Sequence, residues 1–361
     1  MSNWYSIIIG ILILGLIITF HEFGHFIVAK INRINVTEFM VGMGPVLFEK
    51  KKNGTRYTLR LIPFGGACIM QGSETIPGME EGEEQSLPEE GSFLSKNVWQ
   101  RIAVIFAGPF FNFILAFIIS VIVLGFAGVD KPVLSAILKD LPAESAGLKV
   151  GDEVISINGK RMYLSGDITL YMHDYVPGTE IDLVVKRDGE ELSFHITPEY
   201  SEEYQKYMLG ISWGAYREKM GPLGTMKYSF IEVGYWIRLT IKSLGMLFTG
   251  KASVNDLSGP VGIVDIVDDT VEAAKEDGAF YVFLNVMNLV ILLSANVGIM
   301  NLLPIPALDG GKLLFLFIEA VRGKPIDKKK EGYVHLAGVI FLLLLMVFIV
   351  FNDFRKMIFG V

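Results

Sequence analysis

His21-Glu22-Phe23-Gly24-His25 is the stretch in which residue type and spacing together suggest metal chemistry. Histidines at i and i+4 share one face of a helix, one turn apart, and can hold a zinc ion beside the intervening Glu22 carboxylate. A catalytic zinc takes three protein ligands and keeps an open position for water, so another segment must supply a ligand at the same depth. Asp309, Glu319 and His335 are the candidates. Asp309 stands out because Asn301-Leu302-Leu303-Pro304-Ile305-Pro306-Ala307-Leu308-Asp309-Gly310-Gly311 interrupts an apolar helix. Irregular backbone at membrane depth is tolerated only where it is buried in protein or lines a wet cavity. A helix cap is the plainer role for Asp309, and the glycines after it suit that role. Asn301, in the same interruption, could hydrogen-bond the backbone of an extended peptide.

The elements that must position these residues are membrane helices. Isoleucines and leucines run from Ile7 to Ile18 without a charge, and 51% of the 361 residues are hydrophobic. Spanning takes about 20 apolar residues, and four stretches qualify, near 4–29, 102–129, 280–303 and 335–351. The first has no basic residue before Lys30 and no small-residue cleavage site, so it is expected to stay attached. Met226 to Phe248 tempts a fifth span, yet Glu232, Arg238 and Lys242 would each cost about 2.5 to 3.5 kcal/mol at a helix centre. An interfacial amphipathic helix is expected there. Lys30, Arg33, Lys96, Arg101 and the cluster from Arg322 to Lys330 mark the cytoplasmic side. The amino terminus is then outside, and His25, about 30 Å along the first helix from Trp4, lies near its cytoplasmic end. Parity puts Asp309 on the same side.

Between the first two spans, Asn53-Gly54 sits between strand-like segments and predicts a β-hairpin within 43–70. Pro63-Phe64-Gly65-Gly66 is expected to break its second strand. An exposed edge of this hairpin, at Thr58 and Leu59 with Gly65 and Gly66, could pair with an extended substrate. A cytosolic loop over 73–95 follows, rich in glutamate, and reads as a solvated acidic face. Gly108-Pro109 and Asn112 in the second span read mainly as helix-packing residues, with a site-lining role as the alternative for Asn112. The composition of 130–215 is that of a soluble domain, with Asn158-Gly159 and Asp188-Gly189 as hairpin turns. The region 216–279 holds the interfacial helix, and 280–361 returns to the membrane core begun in 1–129. The single cysteine, Cys68, cannot form an internal disulfide. The formal charge of -7, with no basic stripe, excludes a nucleic-acid partner.

Pro142-Ala143-Glu144-Ser145-Ala146-Gly147-Leu148 followed by Gly151-Asp152-Glu153-Val154-Ile155-Ser156-Ile157-Asn158-Gly159 closely resembles the PDZ domains of bacterial envelope proteases. Such a domain binds a peptide end or strand at its edge, or here serves only as a steric filter. Together with H-E-F-G-H, the hairpin ending P-F-G-G, L-S-G-P-V-G-I and N-L-L-P-I-P-A-L-D-G-G, the chain resembles the site-2 protease family of intramembrane zinc metalloproteases, of the bacterial RseP type. That resemblance runs in order over nearly the whole chain. It implies an α-helical integral membrane protein of four transmembrane helices and a membrane-associated β-hairpin, plus an extracytoplasmic, β-rich, PDZ-like domain. It also implies zinc held by His21, His25 and Asp309, with Glu22 as catalytic base. Implied partners are the lipid bilayer and membrane-embedded single-span proteins, cleaved in the bacterial plasma membrane after a first outer cut. One PDZ-like pattern is present where Escherichia-type members have two. The alternatives are an inactive PDZ-bearing membrane scaffold, which would carry degenerate metal residues, and an ion transporter, which would show repeated halves.

Overall fold

The computed structural model describes residues 4–73, 89–202, 204–214, 216–251 and 259–359. Most of the acidic loop expected over 73–95 falls outside them, as do Leu257 and Ser258 of the L-S-G-P-V-G-I motif. Helix α1 (Trp4–Ile31) leads into strands β1 (Val36–Lys52) and β2 (Thr55–Met70), and α2 (Val98–Ala127) follows. Short elements come next: β3 (Val129–Asp130), β4 (Ala136–Ile137), α3 (Pro142–Ser145), β5 (Glu153–Ile157), β6 (Lys160–Arg161) and α4 (Ser165–Met172). After them come β7 (Ile181–Arg187), β8 (Glu190–Ile196), β9 (Glu199–Ser201), β10 (Lys206–Met208), β11 (Ile211–Ser212) and β12 (Arg217–Glu218). The chain continues with α5 (Pro222–Phe248), α6 (Pro260–Lys275), α7 (Ala279–Leu302), α8 (Asp309–Arg322) and α9 (Lys328–Phe359). It divides into two compact units, Met1–Ile119 with Thr240–Val361, and Ser120–Leu239.

Among the described residues four helices are long and apolar enough to cross a membrane: Trp4–Ile31, Val98–Ala127, Ala279–Leu302 and Lys329–Lys356. The fifth apolar stretch, α5, is not one of them, as its interior charges predict. In the first unit α6 lies along the start of α1, where Ser6 Oγ donates to Asp268 Oδ1 at 2.6 Å and Tyr5 Oη to Glu272 Oε1 at 2.8 Å. Asp353 of α9, itself buried, accepts from the amides of Gly259 and Gly262, each at 3.0 Å, and so satisfies donors at the start of α6.

The hairpin differs from the expected one. It begins at Val36 rather than Met43, and β2 runs unbroken through Pro63-Phe64-Gly65-Gly66, bending at Gly65 where φ is +90°. The two strands also fold back on themselves. Phe39 pairs with Cys68 on one side and Tyr57 on the other, and Met40 with Ala67 and Thr58. Residues 46–52 pair with 55–60. The result is a four-stranded mixed sheet whose segments lie in the order 66–70, 36–41, 55–60, 46–52, with the central pair 36–41 and 55–60 parallel and the two outer pairs antiparallel. Glu38 pins the fold: its buried carboxylate accepts from Thr58 Oγ1 at 2.8 Å and Arg56 Nη2 at 2.5 Å. Thr58 and Leu59 therefore sit in an interior segment, with Thr58 flanked by Met40 and Glu49. The edges are 66–70 and 46–52, and 66–70 is the one that reaches Glu22.

The second unit contains a four-stranded antiparallel sheet in the order β6-β5-β7-β8. Its turns at Asn158-Gly159 and Asp188-Gly189 have positive φ at both residues, as a two-residue primed turn requires. The inward side chains Val154, Ile157, Ile181, Leu183 and Val185 pack with Ile168 of α4 into a core that excludes water. Two-residue ladders join β11 to β4 and β12 to β3.

Candidate metal centre

Two elements of the first unit bring three polar side chains to one point. His21 and His25 project from one face of α1. Asp309 opens α8, directly after the irregular turn 303–308, in which Ala307 has φ +80°. The carboxylate does not cap its own helix, because the N-cap is Leu308 and makes no side-chain capping bond. It turns instead to the histidines: Oδ2 lies 2.9 Å from His21 Nε2 and 3.3 Å from His25 Nε2. The two Nε2 atoms are 3.2 Å apart. Gly310 makes the turn feasible, since a Cβ there would meet Leu303 O at 2.1 Å and Leu302 O at 2.4 Å.

This triangle fits zinc. Ligand atoms at about 2.0 to 2.1 Å from a tetrahedral ion stand roughly 3.3 Å from one another, which matches the spacings of 2.9, 3.2 and 3.3 Å. His25 Nδ1 is 2.9 Å from Val104 O, so that nitrogen carries the ring proton and Nε2 offers a lone pair. Asp309 Oδ2 is buried and takes no well-directed hydrogen bond among the described residues. An inward lone pair beside an unsatisfied carboxylate oxygen is unfavourable until a cation joins them. Two imidazoles and one carboxylate also leave the fourth position open.

Helix α2 packs against the centre: Asn112, the alternative site-lining residue, stands 3.2 Å from His21 Nδ1, and the close approach of Gly108 is one the sequence does not predict. Gly108 faces both rings: a Cβ there would come within 2.3 Å of His25 Nε2 and 2.7 Å of His21 Nε2. Any side chain would displace the imidazoles. The Gly-Pro pair inside an apolar helix was the available signal, though packing was the role it suggested. The Val104 carbonyl had no signal at all, because every residue carries one.

Glu22, between the histidines, accepts from the Cys68 amide at 2.9 Å through Oε2. It thereby contacts the edge segment 66–70, and the Cβ position of Gly66 lies 3.4 Å from its Cγ. Burial and then the Glu22 charge push the Cys68 thiol up to about 12, which favours its protonated form. A cavity of about 560 Å³ runs past His21, Glu22, His25, Asp309, Asn301 and Cys68. The other two ligand candidates line the same cavity but do not join the triangle: Glu319 is paired with Arg101, and His335 stands apart among the described residues. Asn301 Nδ2 donates to Val297 O at 3.1 Å. Gly65 is the bend before the edge; Thr58 and Leu59 are remote from it in the sheet order.

The sequence model of peptidase family M50 matches residues 9–345. The chain is 35% identical to the zinc metalloprotease RasP of Bacillus licheniformis, over 98% of this chain and 99% of the relative. It is 35% identical to the zinc metalloprotease RasP of Geobacillus kaustophilus, over 97% and 98%. It is 34% identical to the regulator of sigma-W protease RasP of Bacillus subtilis, over 98% and 99%. With a zinc-compatible triangle at its centre and four apolar helices around it, the chain belongs to peptidase family M50, the site-2 proteases, and is a multi-pass zinc metalloprotease.

Proposed function

We propose that this protease cuts the transmembrane segments of single-span proteins, using His21, His25 and Asp309 as zinc ligands and Glu22 as general base. The observation that carries this reading is the convergence of the three ligand atoms beside Glu22 in one cavity. When bound, zinc supplies Lewis acidity towards water and the scissile carbonyl oxygen. Glu22 takes the proton of the attacking water and delivers it to the leaving amine. A helical substrate hides its peptide bonds and must unwind at the site. Segment 66–70, with its bend at Gly65, is the edge to which an unwound strand can add, and Asn301 can hold the strand from the other wall. This moves the pairing surface from Thr58 and Leu59 to Gly66 and its neighbours.

The basic flanks favour an amino terminus outside the plasma membrane and a centre near the cytoplasmic side. They also carry 130–215 to the outer side. We read that stretch as a PDZ-like module that either takes a peptide or excludes substrates whose outer domain is intact. A relative is named a regulator of sigma-W protease. Anti-sigma factors, or signal-peptide remnants left after a first outer cut, are accordingly the proposed substrates. Purified protein should hold about one zinc per chain and cut a single-span reporter, while Glu22→Gln keeps the zinc and loses cleavage. Full activity in that variant overturns the mechanism, and an inactive wild-type protein with intact zinc favours a scaffold.

A further inference from the structure

His21 and His25 face the same point but are oriented by different partners. The carbonyl of Val104 can only accept, so it fixes the proton of His25 on Nδ1. Nothing so definite stands opposite His21. Its Nδ1 is 3.2 Å from the side-chain amide of Asn112, and an amide can serve either way. With Nδ2 towards His21, the amide donates, the ring proton sits on Nε2, and that proton points at Asp309 Oδ2, 2.9 Å away. A proton then occupies the place of a metal. With Oδ1 towards His21, the amide accepts, the proton moves to Nδ1, and Nε2 is bare.

Asn112 is fully buried, and its Oδ1 has no hydrogen-bond partner among the described residues. Its main chain is anchored by Ser294, whose Oγ donates to Asn112 O at 2.8 Å. The carboxamide can therefore turn about its last torsion without moving the helix. We propose that Asn112 is a positioning residue for the metal centre: in the zinc-loaded protein its Oδ1 accepts from His21 Nδ1 and aims the Nε2 lone pair at the ion. Ligand histidines are commonly held through their second nitrogen in this way. The inference rests on His21 being a zinc ligand, as proposed above.

The test uses full-length protein in detergent, with zinc titrated against a competing chelator and the unfolding midpoint of the metal-free form read in parallel. Asn112→Leu keeps the volume but has no acceptor, and its zinc affinity should fall by about 10- to 100-fold. Its metal-free form should unfold at the wild-type midpoint or above, because a buried polar group is gone. A merely structural role would move both readouts in the same direction. Asn112→Asp offers only acceptors and should bind zinc at least as tightly as wild type. His21→Ala separates the two proposals. If it loses zinc while Asn112→Asp weakens as far as Asn112→Leu, or while Asn112→Leu binds like wild type, the role of Asn112 is overturned and the ligand assignment stands. If His21→Ala binds zinc like wild type, the assignment falls and the role of Asn112 with it.

Discussion

Asp309 and Asp152 are both withdrawn from solvent, and their neighbours give them opposite tasks. Asp309 is paired, among the described residues, with the imidazole nitrogens of His21 and His25, which in the proposed reading reserves it for a cation. Asp152 is 1% exposed and saturated with donors: Arg187 Nε and Nη2 at 2.7 Å each, and the Lys149 amide at 2.9 Å. Burial pushes its carboxyl up, but the Arg187 hydrogen bonds, the Lys149 amide and the Arg187 charge outweigh it, and the group lies below the usual carboxylate range. The unfolded chain, with a carboxyl near 3.9, therefore takes up the proton first. The stabilisation is complete above about pH 4 and is lost as pH falls through the lower folded value. Asp152→Asn should destabilise the second unit by roughly 3 kcal/mol at neutral pH, since it leaves a partly buried guanidinium uncompensated. Its stability should also fall less steeply in acid than the wild type's. Denaturant unfolding followed by hydrogen exchange of β5 and β7 at pH 7 and pH 3 measures both, and parallel acid profiles would refute the assignment.

At the scale of elements, the helices and turns were legible and the sheet beside the centre was not. Uninterrupted apolar runs give four spans, because backbone satisfaction in lipid leaves few other solutions. Their ends differ by a few residues where charges continue a helix past the apolar run, as Lys329 does in α9. Asn53-Gly54 locates a turn by local sterics. What lies on the far side of a strand is settled by distant residues, so the folding of β1 and β2 over one another, through Glu38, Arg56 and Thr58, left no periodic trace. The displaced edge is open to test. The Cys68 amide points away from β1, towards Glu22, and proline is tolerated at such an edge position. Cys68→Pro should keep zinc and sheet stability yet lose cleavage by about 10²-fold or more, as the edge loses the one amide that Glu22 holds and that an added substrate strand would take over. Cys68→Ala, which keeps the amide, should cut normally. Thr58→Pro should instead weaken the sheet itself, having lost an interior ladder bond. If Cys68→Pro cuts like Cys68→Ala, segment 66–70 is not the working edge.

For the molecule as a whole, the open question is what the stretch between the second apolar helix and α5 contributes to proteolysis. Lys96 lies just before that helix and Arg101 in its first turn, and in the reading proposed above these basic flanks put the following residues on the outer side. The ladder of β3 and β12 gives a clean place to intervene: Asp130 is paired with Arg217 and Val129 with Glu218. Strands that meet in this way can be closed by two residues, and Asn-Gly in place of 131–216 suits a primed turn. The excision removes Leu164 and Asp167, which pack against Tyr235 and pair with Arg238 of α5, so zinc content and unfolding midpoint serve as controls for the remaining core. If the excised module excludes uncut proteins, the shortened enzyme should cleave single-span substrates that still carry a folded outer domain. It should cut pre-trimmed ones at the wild-type rate. A module that instead recruits substrate by its peptide would produce the reverse: slower cutting of trimmed substrates, with a raised KM, and no gain on intact ones. That reverse pattern, or a substrate range identical to wild type, would eliminate the filter.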